Sequence, residues 1–372
     1  MSYFPWMQRG KHQGEPDMIE SERDRSSAGF SRRSALKALA VGGAAAVAGG
    51  IPLTLGTSRT SYAASADKVK MLWAGGDDAY TAKPAACHAP IAFAVEKGIY
   101  GKHNLDVAIS FHGLGGGDLI DTIASGEVDL GAHLLVDWLK PLQEKPSPVK
   151  FISGMHGGCQ RLLTSKSSGI KKVEDLKGKT IAVGGIDNVA ELAFLVTLAK
   201  SGLDPNADVK WVEFPYDQLG EVVNSGKADA LATLDVSAYI FEKKYDLLQL
   251  ADTQTHIYDH VLCCGFAAND DFLTNRRDVA RRVTAANADA CEYTAAHPEE
   301  VATFYVEKYK PGVTADELAK MLGYYTYHLH PTGPALTKQT VGLIDDMKLV
   351  KRLPADLDSA EFAKKITDNI DA

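Results

Sequence analysis

At 372 residues, with 48 Asp and Glu against 40 Lys and Arg, the chain carries a net charge of −8 and no basic run to offset it. That balance excludes nucleic acid and anionic membranes as natural partners. Five cysteines (Cys87, Cys159, Cys263, Cys264, Cys291) are too few and too scattered for a disulfide scaffold, and their odd number leaves at least one thiol unpaired within a monomer.

The chain opens with polar residues and then Ser31-Arg32-Arg33-Ser34-Ala35-Leu36-Lys37, the pattern of twin-arginine export. The apolar run at 38–55 is rich in Ala and Gly and interrupted by Pro52. It is weaker than the ~20 strongly apolar residues of a membrane span. Ser61-Tyr62-Ala63 and Ala64-Ser65-Ala66 both suit cleavage, and retention as an anchor is the alternative. No Cys precedes Cys87, which excludes a lipid-anchored Cys just after the signal. Residues 1–66 are therefore expected to be leader, and the protein to work periplasmically or otherwise outside the cytoplasm. Removing them leaves 32 Lys and Arg against 43 Asp and Glu.

From residue 69 short apolar strands alternate with helices, the pattern of a mostly parallel sheet covered on both faces. Strands are expected at 69–73, 107–111, 149–153, 161–165, 180–183, 209–214 and 261–268. Helices are expected at 90–97, 172–178 and 189–201, with a mainly helical tail to 372. Two stretches share one plan. Leu119-Ile-Asp-Thr-Ile-Ala-Ser-Gly-Glu-Val-Asp-Leu-Gly-Ala132 and Leu219-Gly-Glu-Val-Val-Asn-Ser-Gly-Lys-Ala-Asp-Ala-Leu-Ala232 coincide at Leu, Ser, Gly, Asp and Ala. Each predicts an amphipathic helix stopped by Ser-Gly, the Gly taking a left-handed conformation, followed by an Asp and a buried strand. One such unit per lobe predicts a two-lobed α/β protein with a cleft between the lobes.

Cys87-His-Ala-Pro-Ile-Ala-Phe-Ala-Val-Glu-Lys-Gly-Ile-Tyr-Gly-Lys-His-Asn-Leu-Asp-Val107, the Ser-Gly-Glu-Val-Asp129 motif, Val173-Glu-Asp-Leu-Lys-Gly-Lys-Thr-Ile-Ala-Val183 and Ser-Gly-Lys-Ala-Asp229 occur in an order that resembles one transport family. That family is the solute-binding proteins of ABC importers for nitrate, sulfonates, taurine and pyrimidine precursors, the NMT1/THI5-like group. The resemblance spans about 69–268. It implies a type II periplasmic binding protein: two lobes of mostly parallel sheet flanked by helices and joined by two crossing strands. It also implies no catalysis, no cofactor, a monomer, a small-molecule ligand, and ABC permease and ATPase subunits as partners beside the Tat export machinery. The lobes are expected at 67–160, 161–260 and, returning to the first lobe with the C-terminal helices, 261–372. The hinge would lie at 161–165 and 261–268.

Ligands of open α/β sheets lie beyond the carboxyl ends of the strands. That rule selects Tyr80, Cys87 and His88 after the first strand, His112 and 115–118 after the second, and His133 and Asp137 after the first repeat. It also selects His156 and Cys159 at the first crossing, Asp187 and Asn188 in a glycine loop, and Tyr216 and Asp235 later in lobe two. The loop Gly184-Gly-Ile-Asp-Asn188 reads equally as an anion site of free backbone N–H groups or as a plain helix cap. His112-Gly-Leu-Gly-Gly-Gly117 lacks the Lys-Ser/Thr of a nucleotide loop and reads as a cleft loop. Arg161 is the one Arg among these loops, which favours a polar heteroaromatic or amide ligand over a bare anion.

His156 with Cys159, Cys87 with His88, and His260 with Cys263-Cys264 offer an alternative, since thiolate and imidazole together suit a soft metal ion. Their spacings match no zinc signature, and buried Cys is common as a small apolar residue. Cys263-Cys264 reads first as strand packing. An enzyme of the pyrimidine-synthesis type is the remaining alternative; its yeast relative carries a Cys-rich stretch.

Overall fold

The computed structural model describes residues 65–74, 85–112 and 116–371. The twin-arginine pattern, Tyr80 and Gly115 lie outside them, as does the side chain of His112. In chain order the strands are β1 (Asp67–Ala74), β2 (Leu105–His112), β3 (Leu130–Leu134), β4 (Val149–His156) and β5 (Gln160–Ser165). They continue with β6 (Thr180–Val183), β7 (Lys210–Glu213), β8 (Ala230–Leu234), β9 (Leu247–Asp252) and β10 (Cys264–Asn269).

They form two five-stranded sheets on one plan, β2-β1-β3-β10-β4 and β7-β6-β8-β5-β9. In the first, β1 runs parallel to β2 and β3 while β10 is antiparallel to both β3 and β4. In the second, β6 runs parallel to β7 and β8 while β5 is antiparallel to β8 and β9. The single reversed strand of each sheet is the one that enters directly from the other lobe. The crossings themselves are 157–159 and 253–263, so β5 and β10 are sheet members, and the connections beside them join the lobes.

The helices are α1 (Ala89–Glu96), α2 (Ile99–Lys102), α3 (Gly116–Ala124), α4 (Leu135–Glu144), α5 (Val189–Lys200), α6 (Leu219–Asn224) and α7 (Ser237–Tyr245). The tail adds α8 (Asp270–Asn275), α9 (Arg277–Ala296), α10 (Pro298–Tyr309), α11 (Ala315–Tyr324), α12 (Gly333–Leu349) and α13 (Ser359–Ile366). Among the described residues no helix is long and apolar enough to cross a membrane.

The repeated stretches fold alike. Gly126 and Gly226 stop α3 and α6 at φ 76° and 72°, where only glycine is unstrained. The Asp that follows then locks the next strand to its neighbour. Asp129 accepts from Lys70 N through Oδ2 at 2.8 Å while its own N–H donates to Lys70 O at 2.9 Å. Asp229 does the same to Thr180, at 2.8 and 2.9 Å. The carboxylate bond of each Asp is worth about 1.5–3 kcal/mol.

Helix α5, Val-Ala-Glu-Leu-Ala-Phe-Leu-Val-Thr-Leu-Ala-Lys, is apolar around its whole circumference, and 190–198 are all buried. A helix of that kind must be covered on all sides. Phe194 and Leu198 face the core beneath their own sheet, while Leu192, Leu195 and Val196 pack with Trp138 and Leu139 of α4 and Leu343 and Met347 of α12. Lobe two thus meets lobe one through an apolar seam.

Candidate functional site

Both crossings meet at one point. Gly158, at φ 33°, lies so close to Thr253 that a Cβ there would overlap the Thr253 carbonyl. Thr253 Oγ1 accepts from both Cys159 N and Gln160 N at 3.1 Å. Cys263 N donates to His156 O at 3.0 Å and Asp235 N to Cys159 O at 2.8 Å. The backbone at the lobe junction is thereby fixed from four directions.

Against this junction lies a cluster of thiols and imidazoles. Cys87 and His88 arrive on the single turn that leads into α1, with Pro90 setting the first turn of that helix. His156 ends β4, Cys159 sits on the first crossing, Cys263 on the second, and Cys264 begins β10. Cys87, His88, His156, Cys159 and Cys264 are each no more than 1% exposed, and Cys263 is half-buried. One nitrogen or sulfur from each of Cys87, His88, His156 and Cys264 lies within 4.8 Å of all the others. The sulfurs of Cys159, Cys263 and Cys264 form a second such group within the same limit.

His156 Nδ1 is 3.0 Å from Gly157 O, which makes it the protonated nitrogen and leaves Nε2 with a free lone pair. Neither ring nitrogen of His88 has a hydrogen-bond partner, nor does His156 Nε2. Three buried and unpartnered imidazole nitrogens are costly unless something binds there. Burial holds both imidazoles below their ordinary pKa, so they are neutral, the form that ligates a metal. Contacts from Cys159 and Cys264 lower the Cys87 thiol to about 6, which makes it a thiolate at neutral pH. The contact with Cys159, helped by burial, pushes Cys263 up to about 12. Burial first, then the neighbouring thiols, carries Cys264 well above the ordinary thiol range.

Aromatic residues close the cluster. Tyr325 stacks on His156 with centroids 5.7 Å apart, Tyr327 meets the same ring edge-on at 5.5 Å, and Trp73 lies 5.9 Å from His88. Tyr327 donates its hydroxyl to Cys87 O at 2.8 Å, and Tyr325 donates to Asp235 Oδ2 at 3.1 Å. Arg161 is paired with Asp235 at 2.9 Å and with Glu242 at 3.0 Å, so its charge is already matched by two carboxylates.

The candidates named from sequence fall into separate places. Cys87, His88, His156 and Cys159 come together, with Asp235 one layer behind them. His260 does not join them: its side chain is 72% exposed and points away beside Asp259. His133 Nε2 pairs with Asp137 Oδ2 at 2.6 Å, and that same oxygen accepts from Gly116 N at 2.7 Å. Burial works against the Asp137 carboxylate, but these two donors hold its pKa below the ordinary value. In the glycine loop, Asn188 caps α5 by accepting from Glu191 N at 2.9 Å, and Asp187 N donates to Glu191 Oε2 at 2.6 Å. Asp187 also holds Arg352 from the far side of the seam, at 2.7 Å. Asp187 N and the Asn188 side chain are thus committed to the start of α5. Tyr216 accepts from Thr233 Oγ1 at 2.7 Å, and its ring lies over Gly184, where a Cβ would come within 2.5 Å. A cavity of about 590 Å³ opens between Lys200 of α5, His260 and Val261 of the second crossing, and Lys338 and Asp345 of α12. Two smaller ones also lie along the seam. One of about 30 Å³ is lined by Gln160, Thr253, Cys263 and apolar residues of both lobes. The other, of about 140 Å³, lies between Asp137, Lys140, Asp187 and Arg352.

Tyr325, Tyr327 and Arg352 were not singled out from the sequence. The two tyrosines sit two apart just past α11, an alternation that could have marked an extended segment turned toward a core. Arg352 gives no local signal.

Two mixed sheets exchanging one reversed strand across paired crossings define the periplasmic-binding-protein fold. The chain belongs to the NMT1/THI5-like family, whose model matches residues 85–301. It resembles the 4-amino-5-hydroxymethyl-2-methylpyrimidine phosphate synthase of Schizosaccharomyces pombe at 30% identity over 202 residues, 51% of this chain; the match spans 57% of that relative's length. Among solved structures it is similar to the periplasmic aliphatic sulphonate-binding protein of Escherichia coli (TM-score 0.64, 15% identity, 81% of this chain and 92% of that one). It is similar as well to a putative periplasmic sulfonate-binding protein of Methylobacillus flagellatus KT (TM-score 0.63, 19% identity, 82% and 92%).

Proposed function

We propose that this protein is the extracytoplasmic solute receptor of an ABC importer and that its cargo is a soft transition-metal ion. Cys87, His88, His156 and Cys264 would hold that ion. The observation that carries the reading is that two buried imidazoles with unpartnered nitrogens, His88 and His156, each bring one ring nitrogen within 4.8 Å of the other and of the Cys87 and Cys264 sulfurs. Two neutral imidazoles and two thiolates balance a divalent ion and suit its tetrahedral preference. An oxyanion finds less support, because Arg161 is doubly paired and the 184–188 loop gives its Asp187 N–H and its Asn188 side chain to the start of α5. The cavity that reaches the cluster, of about 30 Å³, is small beside the ~300–1,000 Å³ of organic-ligand pockets, although the cavity of about 590 Å³ beside Lys200, His260 and Lys338 is not. The lobes would be 67–160 with 261–372, and 161–260, the protein acting as a monomer. Export after folding, as the twin-arginine pattern implies, would carry the chain out with its buried thiols still reduced.

The test uses the reduced, metal-free protein, equilibrated anaerobically with Zn²⁺ against a chelator of known affinity. The His88→Ala/His156→Ala double variant should lose affinity by ~100-fold or more, since supporting groups alone are worth 10- to 100-fold. Equal retention by the two proteins would sink the reading. A second reading takes its support from the S. pombe match: the metal-loaded protein would form a pyrimidine phosphate. Absence of that product at full metal loading leaves the receptor.

A further inference from the structure

The thiols outnumber what one tetrahedral ion uses. Cys159 and Cys263 lie outside the first ligand set but within 4.8 Å of Cys264, which belongs to both groups. We propose that the cluster binds two metal ions that share the Cys264 sulfur: one held by Cys87, His88, His156 and Cys264, the other by Cys159, Cys263 and Cys264. This rests on the metal-receptor reading and extends it from one ion to a thiolate-bridged pair.

Three features support the second ion. Sulfurs about a tetrahedral ion at ~2.3 Å stand about 3.8 Å apart, and Cys263 Sγ and Cys264 Sγ are 3.9 Å apart. A three-sulfur site also wants an oxygen in its open position. Gln160, next in sequence to Cys159 and 3% exposed, has a buried Oε1 with no partner and lines the same cavity as Cys263. That cavity, of about 30 Å³, has room for one water molecule. Charge agrees as well, because four thiolates neutralise two divalent ions, whereas one ion would leave two thiols protonated or an excess of buried negative charge. The second ion would thereby be held by both crossings at once, by Cys159 on the first and Cys263 on the second, with Cys264 at the start of β10 as the shared sulfur.

Native mass spectrometry of the reduced full chain, titrated anaerobically with Zn²⁺, counts the ions directly. Two per chain are expected for the wild type. One is expected for Cys159→Ser, for Cys263→Ser and for His88→Ala/His156→Ala, and fewer than two for Cys264→Ser. With Co²⁺ as probe, the second equivalent should weaken the paramagnetic signal of the first, as two ions on a common sulfur couple magnetically. Circular dichroism together with retention of the first ion by Cys159→Ser shows that this variant is folded. A wild type that stops at one ion, unchanged by Cys159→Ser or Cys263→Ser, would overturn the pair and leave the receptor standing. Two ions of which both survive those substitutions would mean adventitious surface binding of the second, and also overturn it. No ion at all would remove both readings.

Discussion

Arg352 offers the most direct test of how the lobes are held together. It leaves the segment after α12 and crosses the seam to the start of α5. There Nε meets Asp187 Oδ1 at 2.7 Å, Nη1 meets Asn206 Oδ1 at 3.1 Å, and Nη2 meets Glu191 Oε1 at 3.2 Å. Asp187 is 59% exposed, so its share is about 0–1 kcal/mol. The Glu191 side chain is 2% exposed and decides the matter. Losing a charged hydrogen bond to a buried carboxylate costs about 1.5–3 kcal/mol. Arg352→Ala should therefore destabilise by about 2–3 kcal/mol, a fall of ~30- to ~160-fold in the folded-to-unfolded ratio. The assay is urea unfolding at neutral pH.

Glu191→Gln in the same background should restore most of that loss, because the unpaired charge is then gone. The pH dependence has a definite sign. Burial already raises the Glu191 carboxyl above its ordinary pKa, against the pull of Asp187 N–H and Arg352. The folded state therefore binds the proton more tightly than the unfolded one. The stability this contributes is fully present below the unfolded pKa and is lost as pH rises through the folded pKa. Without Arg352 that window widens upward, and the variant's deficit should grow toward neutral pH and shrink in acid. A deficit independent of pH, or a double variant no better than Arg352→Ala, would refute the reasoning.

Other expectations follow from single contacts. Gly158→Ala should lower the unfolding free energy by an amount on the order of 1–3 kcal/mol, read as a lower urea midpoint, since the added Cβ meets the Thr253 carbonyl. An unchanged midpoint would mean that the crossings are not in contact. Gly126→Ala, with open space around the added carbon but φ at 76°, should cost only about 1 kcal/mol. In the metal-free reduced protein, thiolate ultraviolet absorbance should show a step at about pH 6 that disappears in Cys87→Ser. Asp129→Ala and Asp229→Ala, which remove the carboxylate that accepts from the neighbouring strand, should destabilise by similar amounts, about 1.5–3 kcal/mol each. A large inequality between them would contradict their equivalent bonding.

The repeated unit was legible because its signals are local. A left-handed Gly, an Asp that bonds the neighbouring strand, and a run of buried small residues follow one another within fourteen positions. Strand β9 was not, since an exposed Leu248 and Gln249 interrupt its apolar pattern. The Cys and His pairs were visible as residue types, yet spacing could not tell that His260 would turn outward while Cys263 and Cys264 turned in. Positive φ at His260 makes that turn, and it depends on the fold around it. Arg352 and Tyr325 belong to contacts 165 and 90 residues apart in sequence, beyond any local pattern.

The same long-range closure carries a functional consequence. Cys159 rides on the first crossing and Cys263 on the second, with Thr253 and Gly158 pressed together between them. A rotation that separates the lobes must be absorbed by φ/ψ changes in these short connections, and where it shifts Cys159 against Cys263 it would strain any ligand set that spans them. Ions bound across Cys159, Cys263 and Cys264 would then favour the arrangement in which the crossings touch. Closure and affinity become one equilibrium, biased by the ion to the extent of its preference for that arrangement. The apolar seam of α5 and the Arg352 bridge bias it the same way before any ion arrives. An importer that recognises only the closed receptor could thus discriminate loaded from empty by the separation of two short connections.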